Sequence, residues 1–405
     1  MVIRAGGPSD AVDGVVPRQV VEPTTAPELG DALATASRER HATILRGGGT
    51  KVDWGRTPVA IDLVVSTARL NASIVHRHGD LTATAQAGVT LKQLNHELAR
   101  YGQWLPIDSA FDEATIGGIV ATGDAGPLRH RYGTPRDLLI GVNLAMADGR
   151  VVKAGGHVVK NVAGYDLGRL VSGSFGSLAA IANATFKLLP IPQTSATLVA
   201  DYDDHERLAR DVAAVSASQI EPTAFDLRVP RADAGVASSR LLLRVASSPA
   251  SVDAQIESAR RVIAAGSQIV RDEPEAALWT EQVRQSWNGD GTVVRLGWLP
   301  AKLGEVITLI HDVQKMASGR VALAGRVGAG AGLLTIDGDA MTQTAVVRRL
   351  RGSVFVGNVT VLRGSRELKS QLDVWPVPSA TAQTLQALKQ RLDPAGILNP
   401  GRGPI

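Results

Sequence analysis

The sequence predicts an α+β protein of two domains. Three observations carry this: the chain has 405 residues, more than a single hydrophobic core normally organises; strand-like and helix-like stretches alternate from 18 to 190 and again from 195 to about 370; and the proline-bearing "PIPQT" at 190–194 interrupts the alternation. The expected boundaries are 1–192 for the first domain, 193–375 for the second, and 376–405 for a C-terminal helix and tail. At 44% hydrophobic and 20% charged residues, the composition is that of a globular chain able to bury a core.

The first domain opens with "RQVVEPTTAPELGDALATASRERHATILRGGG", which reads as strand, helix, strand. Pro27 suits a first helical turn, Leu29 and Leu33 share a face, and "ATIL" is a short buried strand. Apolar runs at 59–65 and 72–76, then "LTATAQAG", have the mixed period of a sheet. "VTLKQLNHELARYGQ" predicts a helix with Thr90 as N-cap, a stripe of Leu91, Leu94 and Leu98, and Gly102 just past its end. Residues 106–137 are rich in Gly, Asp and Pro and read as loop. "LLIGVNLAMADGRVV" is a hairpin turning at Asp148-Gly149, and "SLAAIANATFKLLP" a further strand.

In the second domain, "LVADYDD", "TAFDLRV", "SRLLLRVA" and "TVVRLGWLP" read as strands. "HERLARDVAAVSA", residues 250–266 and "KLGEVITLIHDVQKMA" read as helices. "SATAQTLQALKQRLDPAGILNPGRGPI" is an amphipathic helix followed by a terminus fixed by Pro and Gly.

Several function classes are excluded. No cysteine occurs, so the chain has no disulfide framework, thiolate zinc site or iron–sulfur cluster of its own. Any redox centre is a bound organic cofactor or a metal on nitrogen and oxygen ligands. A net charge of +4 with scattered cations gives no nucleic-acid footprint. "MVIRAGGPSDAVDGVV" lacks the apolar core of a signal peptide, and no stretch reaches the ~18 apolar residues of a membrane span. The expectation is a cytoplasmic protein, at most peripheral to the inner membrane through partners.

Three segments concentrate special residues. "RGGGTK", 46–51, sets three glycines directly after a strand, where successive N–H groups can converge on an anion with no Cβ in the way; Thr50 and Lys51 add a hydroxyl and a cation. Alone, the triple glycine fits a plain tight turn equally well, and it has neither Walker nor GxGxxG spacing. "DEATIGGIVATGDAGP", 112–127, is a second glycine-bearing loop, and two such loops suit a ligand with two phosphates. "HVVKNVAGYDLGRLVSGSF", 157–175, brings Lys160, Asn161, Gly164 and Tyr165 together; alone it would read as a surface loop. "GAGAG" at 328–332 leads from strand to strand and reads as a turn, and "HEL" at 96–98 lacks the second histidine of a zinc helix.

With "TILRGGGTKVDWG", "PIDSAFDEATIGGIVATGDAGPLRHRYGTPRDLLIGVNLAMADGRVVKAGGHVVKNVAGYDLGRLVSGSFGSL" and "LDPAGILNPGR", the chain resembles the FAD-binding, PCMH-type flavoproteins of the vanillyl-alcohol-oxidase superfamily. Within it, "VVKNVAGYDL" most resembles the FAD-binding subunits of bacterial glycolate dehydrogenases. The likeness covers 18–190 and the last dozen residues, and is thin between them apart from "VVRLGWLP". It implies a PCMH-type domain of two α/β subdomains, a smaller α/β cap domain, and a C-terminal tail returning to the FAD domain.

The same resemblance implies that Gly47, Gly48, Gly49 and Thr50, with Lys51 beside them, cradle the pyrophosphate of FAD. It places Asp108, Thr115, Gly117, Gly118, Thr122 and Gly126 around the phosphates, ribityl chain and ring, and completes the pocket with Tyr132, Gly133, Asn161, Gly164, Tyr165 and Ile181. FAD is expected to be non-covalent, since cysteine is absent and the triple-glycine loop lacks the histidine of histidyl-flavin relatives; His130 is expected to face solvent. Family members often carry Asn-x-Ser where this chain has Gly123, Asp124 and Ala125, and Ala179, Ala180 and Asn183 also depart from the pattern. A carboxylate beside a pyrophosphate is repelled, so Asp124 points away or FAD binds more weakly.

Oxidising a small 2-hydroxy acid needs a cation for the carboxylate, a base for the hydroxyl proton, and an α-hydrogen aimed at the flavin. Arg295 and Arg326 are the candidate anchors, because a guanidinium binds both carboxylate oxygens. Catalytic relatives carry a histidine-rich, glycine-rich cap motif; here the second domain holds only His205 and His311, read as isolated on helices. The expected function is an FAD-binding subunit of a glycolate-type dehydrogenase. Its expected partners are a larger homologous FAD subunit and an iron–sulfur subunit, with membrane contact only indirect. The alternatives are a self-sufficient FAD oxidoreductase on another small hydroxy acid or alcohol, and a catalytically silent structural subunit.

Overall fold

The computed structural model describes all residues except 73, 158–163, 233–237, 264–265 and 405. Two compact units result: Met1–Ala125, Gly133–Ile191 and Val377–Ile405 form unit 1, and Gly126–Tyr132 with Pro192–Pro376 form unit 2. Gly126–Tyr132, assigned by the sequence to the first domain, belongs with unit 2.

Unit 1 holds two sheets. The first runs β1 (Val2–Ala5), β2 (Gln19–Glu22), β3 (Thr43–Arg46) and β4 (Leu63–Ser66) in the order β1-β2-β4-β3, with β1 antiparallel and the rest parallel. Parallel neighbours need a crossover, and α1 (Ala26–Glu39) supplies it. The Thr25 hydroxyl accepts from the Glu28 N–H, a proline sits in the first turn, and Leu29, Leu33 and Ala36 bury against Val21, Leu63 and Val65. The open edge of β3 is covered by the C-terminal tail: Thr43 N–H donates to Ile397 O at 2.9 Å and Asn399 N–H to Thr43 O at 2.8 Å.

The second sheet contains β5 (Ile74–Arg77), β6 (Thr82–Gln86), β8 (Leu139–Ala145), β9 (Val151–Gly155) and β10 (Ala180–Lys187), all antiparallel, in the order β5-β6-β10-β8-β9. A separate pair joins β7 (Gln103–Trp104) to β11 (Leu189–Pro190). The β8–β9 turn has Gly149 at φ +89°, which a side chain would resist. On α2 (Leu91–Ala99), Thr90 and Gln93 make a reciprocal capping box and Leu91, Leu94 and Leu98 are buried.

The stretch 106–137, expected as loop, contains three short helices: α3 (Ile116–Thr122), α4 (Arg129–Tyr132) and α5 (Pro135–Leu138). Glycine normally disfavours a helix interior, but in α3 the missing side chain lets Gly117 lie against Ala87, whose Cβ would be 2.8 Å from a Cβ added there. Tertiary packing overrides the local propensity. The helix α6 (Leu167–Val171) follows, N-capped by Asp166.

Unit 2 is one antiparallel sheet of eight strands: β12 (Thr194–Tyr202), β13 (Ala224–Val229), β14 (Ser239–Ser247), β15 (Gln268–Val270), β16 (Thr292–Trp298), β17 (Val321–Arg326), β18 (Ala331–Ile336) and β19 (Val356–Arg363). Their order is β15-β12-β14-β13-β17-β18-β16-β19. Its helices are α7 (His205–Ser216), α8 (Pro249–Val262), α9 (Asp272–Arg284), α10 (Leu303–Met316), α11 (Ala340–Arg351) and α12 (Arg366–Gln371). The "GAGAG" stretch makes the turn after β17 with Gly328, Ala329 and Gly330, and its last two residues begin β18.

The sequence did not announce α9, because two of the three residues it buries, all but Trp279, are polar. Glu275 is 2% exposed and accepts from the Ser195 and Thr197 hydroxyls at 2.6 and 2.7 Å, with Arg244 at 3.2 Å. Gln282 is buried with it, so no apolar stripe marks the helix. Among the described residues, no helix is long and apolar enough to cross a membrane.

Candidate functional site

The glycine loop after β3 forms one wall of a cavity in unit 1 with about 830 Å³ of open space including its mouth. The loop is pressed onto the segment before α3: a Cβ on Gly47 would lie 2.2 Å from Thr115 Oγ1, and one on Gly48 only 2.1 Å from the Glu113 carbonyl oxygen. Gly49 has φ +76°, a left-handed conformation that glycine adopts without strain. Three glycines are therefore required for three distinct reasons. Only main chain fits there.

The opposite wall comes from α3. Thr115 Oγ1 accepts from the Gly118 N–H at 3.3 Å, and Thr122 Oγ1 donates to Gly118 O at 2.7 Å. The sequence-predicted Gly47, Gly48, Gly49, Thr50, Lys51, Thr115, Gly117, Gly118, Thr122 and Ile181 all line this cavity.

Other predicted residues are placed elsewhere. Asp108 is half-buried off the cavity lining, Gly126 and Tyr132 lie in unit 2, and Gly133 returns the chain to unit 1. Gly164 and Tyr165 are exposed, the tyrosine at 91%, and neither lines the cavity wall. Asn161 and Lys160 lie outside the described residues. His130 does not face solvent: it packs within unit 2, 6.1 Å from the Phe225 ring centroid and over Gly328, and burial followed by the Arg131 charge lowers its pKa.

The sequence reading returned the C-terminal tail to this domain but named none of its residues as cavity wall. Asn399 and Arg402 both line the cavity. The Asn399 carboxamide accepts from the Leu45 N–H at 2.8 Å and donates to the Phe175 carbonyl, and Phe175 itself sits at φ +56°, a strained conformation for a non-glycine residue. Arg402 donates to the Val52 carbonyl at 2.7 Å and to that of Trp54, and burial pushes its pKa down to about 10. The tail is pinned by Lys389, which reaches Asp393 at 2.6 Å and the carbonyls of Ser177 and Leu398 at 2.7 Å each. "LNPGR" was the available signal, because a run of special residues in a tail implies that the tail has somewhere to go.

Charge around the cavity is balanced internally. Arg46 donates to Asp10 at 3.0 Å, and Lys51 Nζ lies 3.0 Å from Asp124 Oδ2. Asp124 lies off the cavity lining but does not stand alone: its charge is neutralised by Lys51 of the cavity wall.

In unit 2, Arg295 stands on β16, and burial, then the nearby Arg129, lowers the pKa of its guanidinium. Arg326 is 5% exposed and lies 4.0 Å from Asp226, which is fully buried. His205 and His311 are not isolated; their rings meet edge to face at 5.7 Å.

A cavity walled by a three-glycine loop, a second glycine-bearing segment and small side chains fits an extended diphosphate cofactor, because its close walls leave main-chain N–H groups accessible where side chains would intrude. The fold and this site define a flavoprotein. Residues 17–155 match the family described as FAD binding domain, and 377–402 the family described as FAD linked oxidases, C-terminal domain. The glycolate oxidase subunit GlcD of Bacillus subtilis is 27% identical over 96% of this chain and 89% of its own length. The glycolate oxidase subunit GlcE of Escherichia coli is 35% identical over 42% of this chain and 49% of its own, and the D-lactate dehydrogenase of Archaeoglobus fulgidus 33% over 53% and 48%. A solved structure of alkyldihydroxyacetonephosphate synthase superposes with a TM-score of 0.72 at 14% identity, covering 95% of this chain and 77% of the other.

The chain is similar to the PCMH-type FAD-linked oxidases. It is an FAD-dependent oxidoreductase.

Proposed function

We propose that this chain is the FAD-binding subunit of a glycolate-type 2-hydroxy acid dehydrogenase that works with a larger homologous FAD subunit and an iron–sulfur subunit. The carrying observation is the glycine-walled cavity closed by Asn399 and Arg402, in a chain similar to both GlcD and GlcE. Gly47 to Lys51, Thr115, Gly117, Gly118, Thr122 and Ile181 would hold the cofactor. Bound there, FAD supplies a two-electron acceptor for the α-hydrogen of the substrate. The residues of this chain orient that acceptor and screen its diphosphate.

The division of labour is supported by unit 2. Its three histidines are all engaged with the protein, His205 and His311 with each other on α7 and α10 and His130 with the Phe225 ring, which supports a catalytic base on a partner chain. The electrons would leave through the iron–sulfur subunit, because this chain has no cysteine to hold a cluster.

Arg295 favours a second reading, a self-sufficient oxidoreductase. A guanidinium drawn out of water next to Arg129 is relieved by any anion that reaches it, and a substrate carboxylate offers two oxygens to its fork. The deciding experiment is the visible spectrum of the purified chain before and after anaerobic glycolate. Flavin that stays oxidised alone and bleaches only with the partner chains supports the subunit reading. Bleaching by the isolated chain supports the second. A chain without flavin would make it a structural subunit.

A further inference from the structure

We propose that Asp124 is an internal competitor for the cofactor's diphosphate: it occupies Lys51 of the cavity wall and thereby keeps FAD exchangeable. The proposal rests on the reading of the glycine-walled cavity as the FAD site.

The observations are these. Lys51 lines the cavity and Asp124 does not. Their side chains are 6% and 11% exposed and their charged atoms 3.0 Å apart, so the pair is largely withheld from water and weakly screened. Asp124 is fixed from its other side by Ser109, whose hydroxyl donates to it at 2.7 Å. The ammonium also sits 5.0 Å from the Phe111 ring centroid and 5.6 Å from that of Trp54, which hold a cation in place whether or not the carboxylate is there. Arg46, at the other end of the glycine loop, is likewise held by Asp10. Both loop cations are therefore neutralised before any anion arrives, and main-chain N–H groups are left as the donors for the diphosphate.

The consequence has a sign that a structural brace would not give. Without the carboxylate, Lys51 is an uncompensated cation in the apoprotein, and the diphosphate becomes its only counter-ion. Removing the charge of Asp124 then destabilises the empty site more than the filled one and tightens FAD. Removing the charge of Lys51 leaves Asp124 facing the diphosphate and loosens it. A brace between the two glycine-bearing segments would lose FAD affinity in either variant.

The test is FAD fluorescence quenching on titration into the deflavinated full-length chain, with thermal melts of each apoprotein. Asp124→Asn, which preserves the acceptor for Ser109, is expected to bind FAD roughly tenfold more tightly and Lys51→Gln roughly tenfold more weakly. The double variant should return to near the wild-type value, and only the Asp124→Asn apoprotein should gain more melting temperature from FAD than wild type does. Unchanged or weaker FAD binding by Asp124→Asn, or its failure to fold, overturns the proposal. Gly48→Asp separates the two readings: if it keeps full FAD affinity, the cavity is not the FAD site and the proposal falls with that reading. If Gly48→Asp abolishes binding while Asp124→Asn weakens it, only the competitor role is lost.

Discussion

Asn399 and Leu45, 354 positions apart in sequence, are joined by a 2.8 Å hydrogen bond from the Leu45 N–H to the Asn399 carboxamide. The bond fixes the strand that delivers the glycine loop, and the other end of the same carboxamide holds the carbonyl of the strained Phe175. Replacing Asn399 by Ala strands a buried donor and a buried acceptor together. The expected cost is about 3 kcal/mol, read as a lower urea midpoint with faster flavin loss from the holoprotein. A variant as stable as wild type would show that water replaces both bonds.

The three glycines of the loop should respond unequally. Gly48→Ala places a methyl 2.1 Å from the Glu113 carbonyl oxygen, which is backbone and cannot swing away, so FAD binding should be lost. Gly49→Ala meets nothing closer than Arg46 Cδ at 4.0 Å and pays only for its left-handed conformation, about 1 kcal/mol. FAD titrations of the two variants check the order.

Arg295→Met should raise KM for a carboxylate substrate by about a hundredfold, the scale of a lost charge-assisted hydrogen bond, while FAD affinity stays unchanged. If steady-state kinetics of the assembled complex show no rise in KM, Arg295 does not touch the carboxylate.

Asp10 ties Arg4 to Arg46, and its hydrogen bonds from Arg4, then from Arg46, hold its carboxyl well below the usual range against the opposing effect of burial. A depressed carboxylate contributes stability that is fully present above the unfolded value near 4 and is lost as pH falls through the folded one. The stability gap between wild type and Asp10→Asn should therefore be constant from pH 7 to 5 and narrow below pH 4. Urea titrations across that range check it; a gap that widens on acidification contradicts the assignment.

Much of unit 1 was legible because each signal was local. Thr90, Pro27 and the Asp148-Gly149 turn act within a few residues of themselves, and the stripe of Leu91, Leu94 and Leu98 follows from helical geometry. What escaped was long-range or polar. The glycine-bearing helix α3 exists because Gly117 packs on Ala87, a contact across the chain that no window of sequence contains. The helix α9 turns Glu275 and Gln282 inward, against the hydrophobic pattern by which helices are recognised. The loops of the site were visible as glycine clusters, whereas Asn399 and Arg402 act through main-chain groups some 350 residues away. The pairing of Asp124 with Lys51 could not be foreseen either, since only the fold brings those two segments together.

The tail that covers β3 also sets a clock. Ile397, Asn399 and Arg402 leave the ribosome only after all of Pro192–Pro376 has been synthesised, so the nascent first unit waits with an open strand edge and an unfinished cofactor wall. The cofactor wall is completed only after translation, and a chaperone or an early-bound partner chain has that whole interval in which to shield the exposed edge.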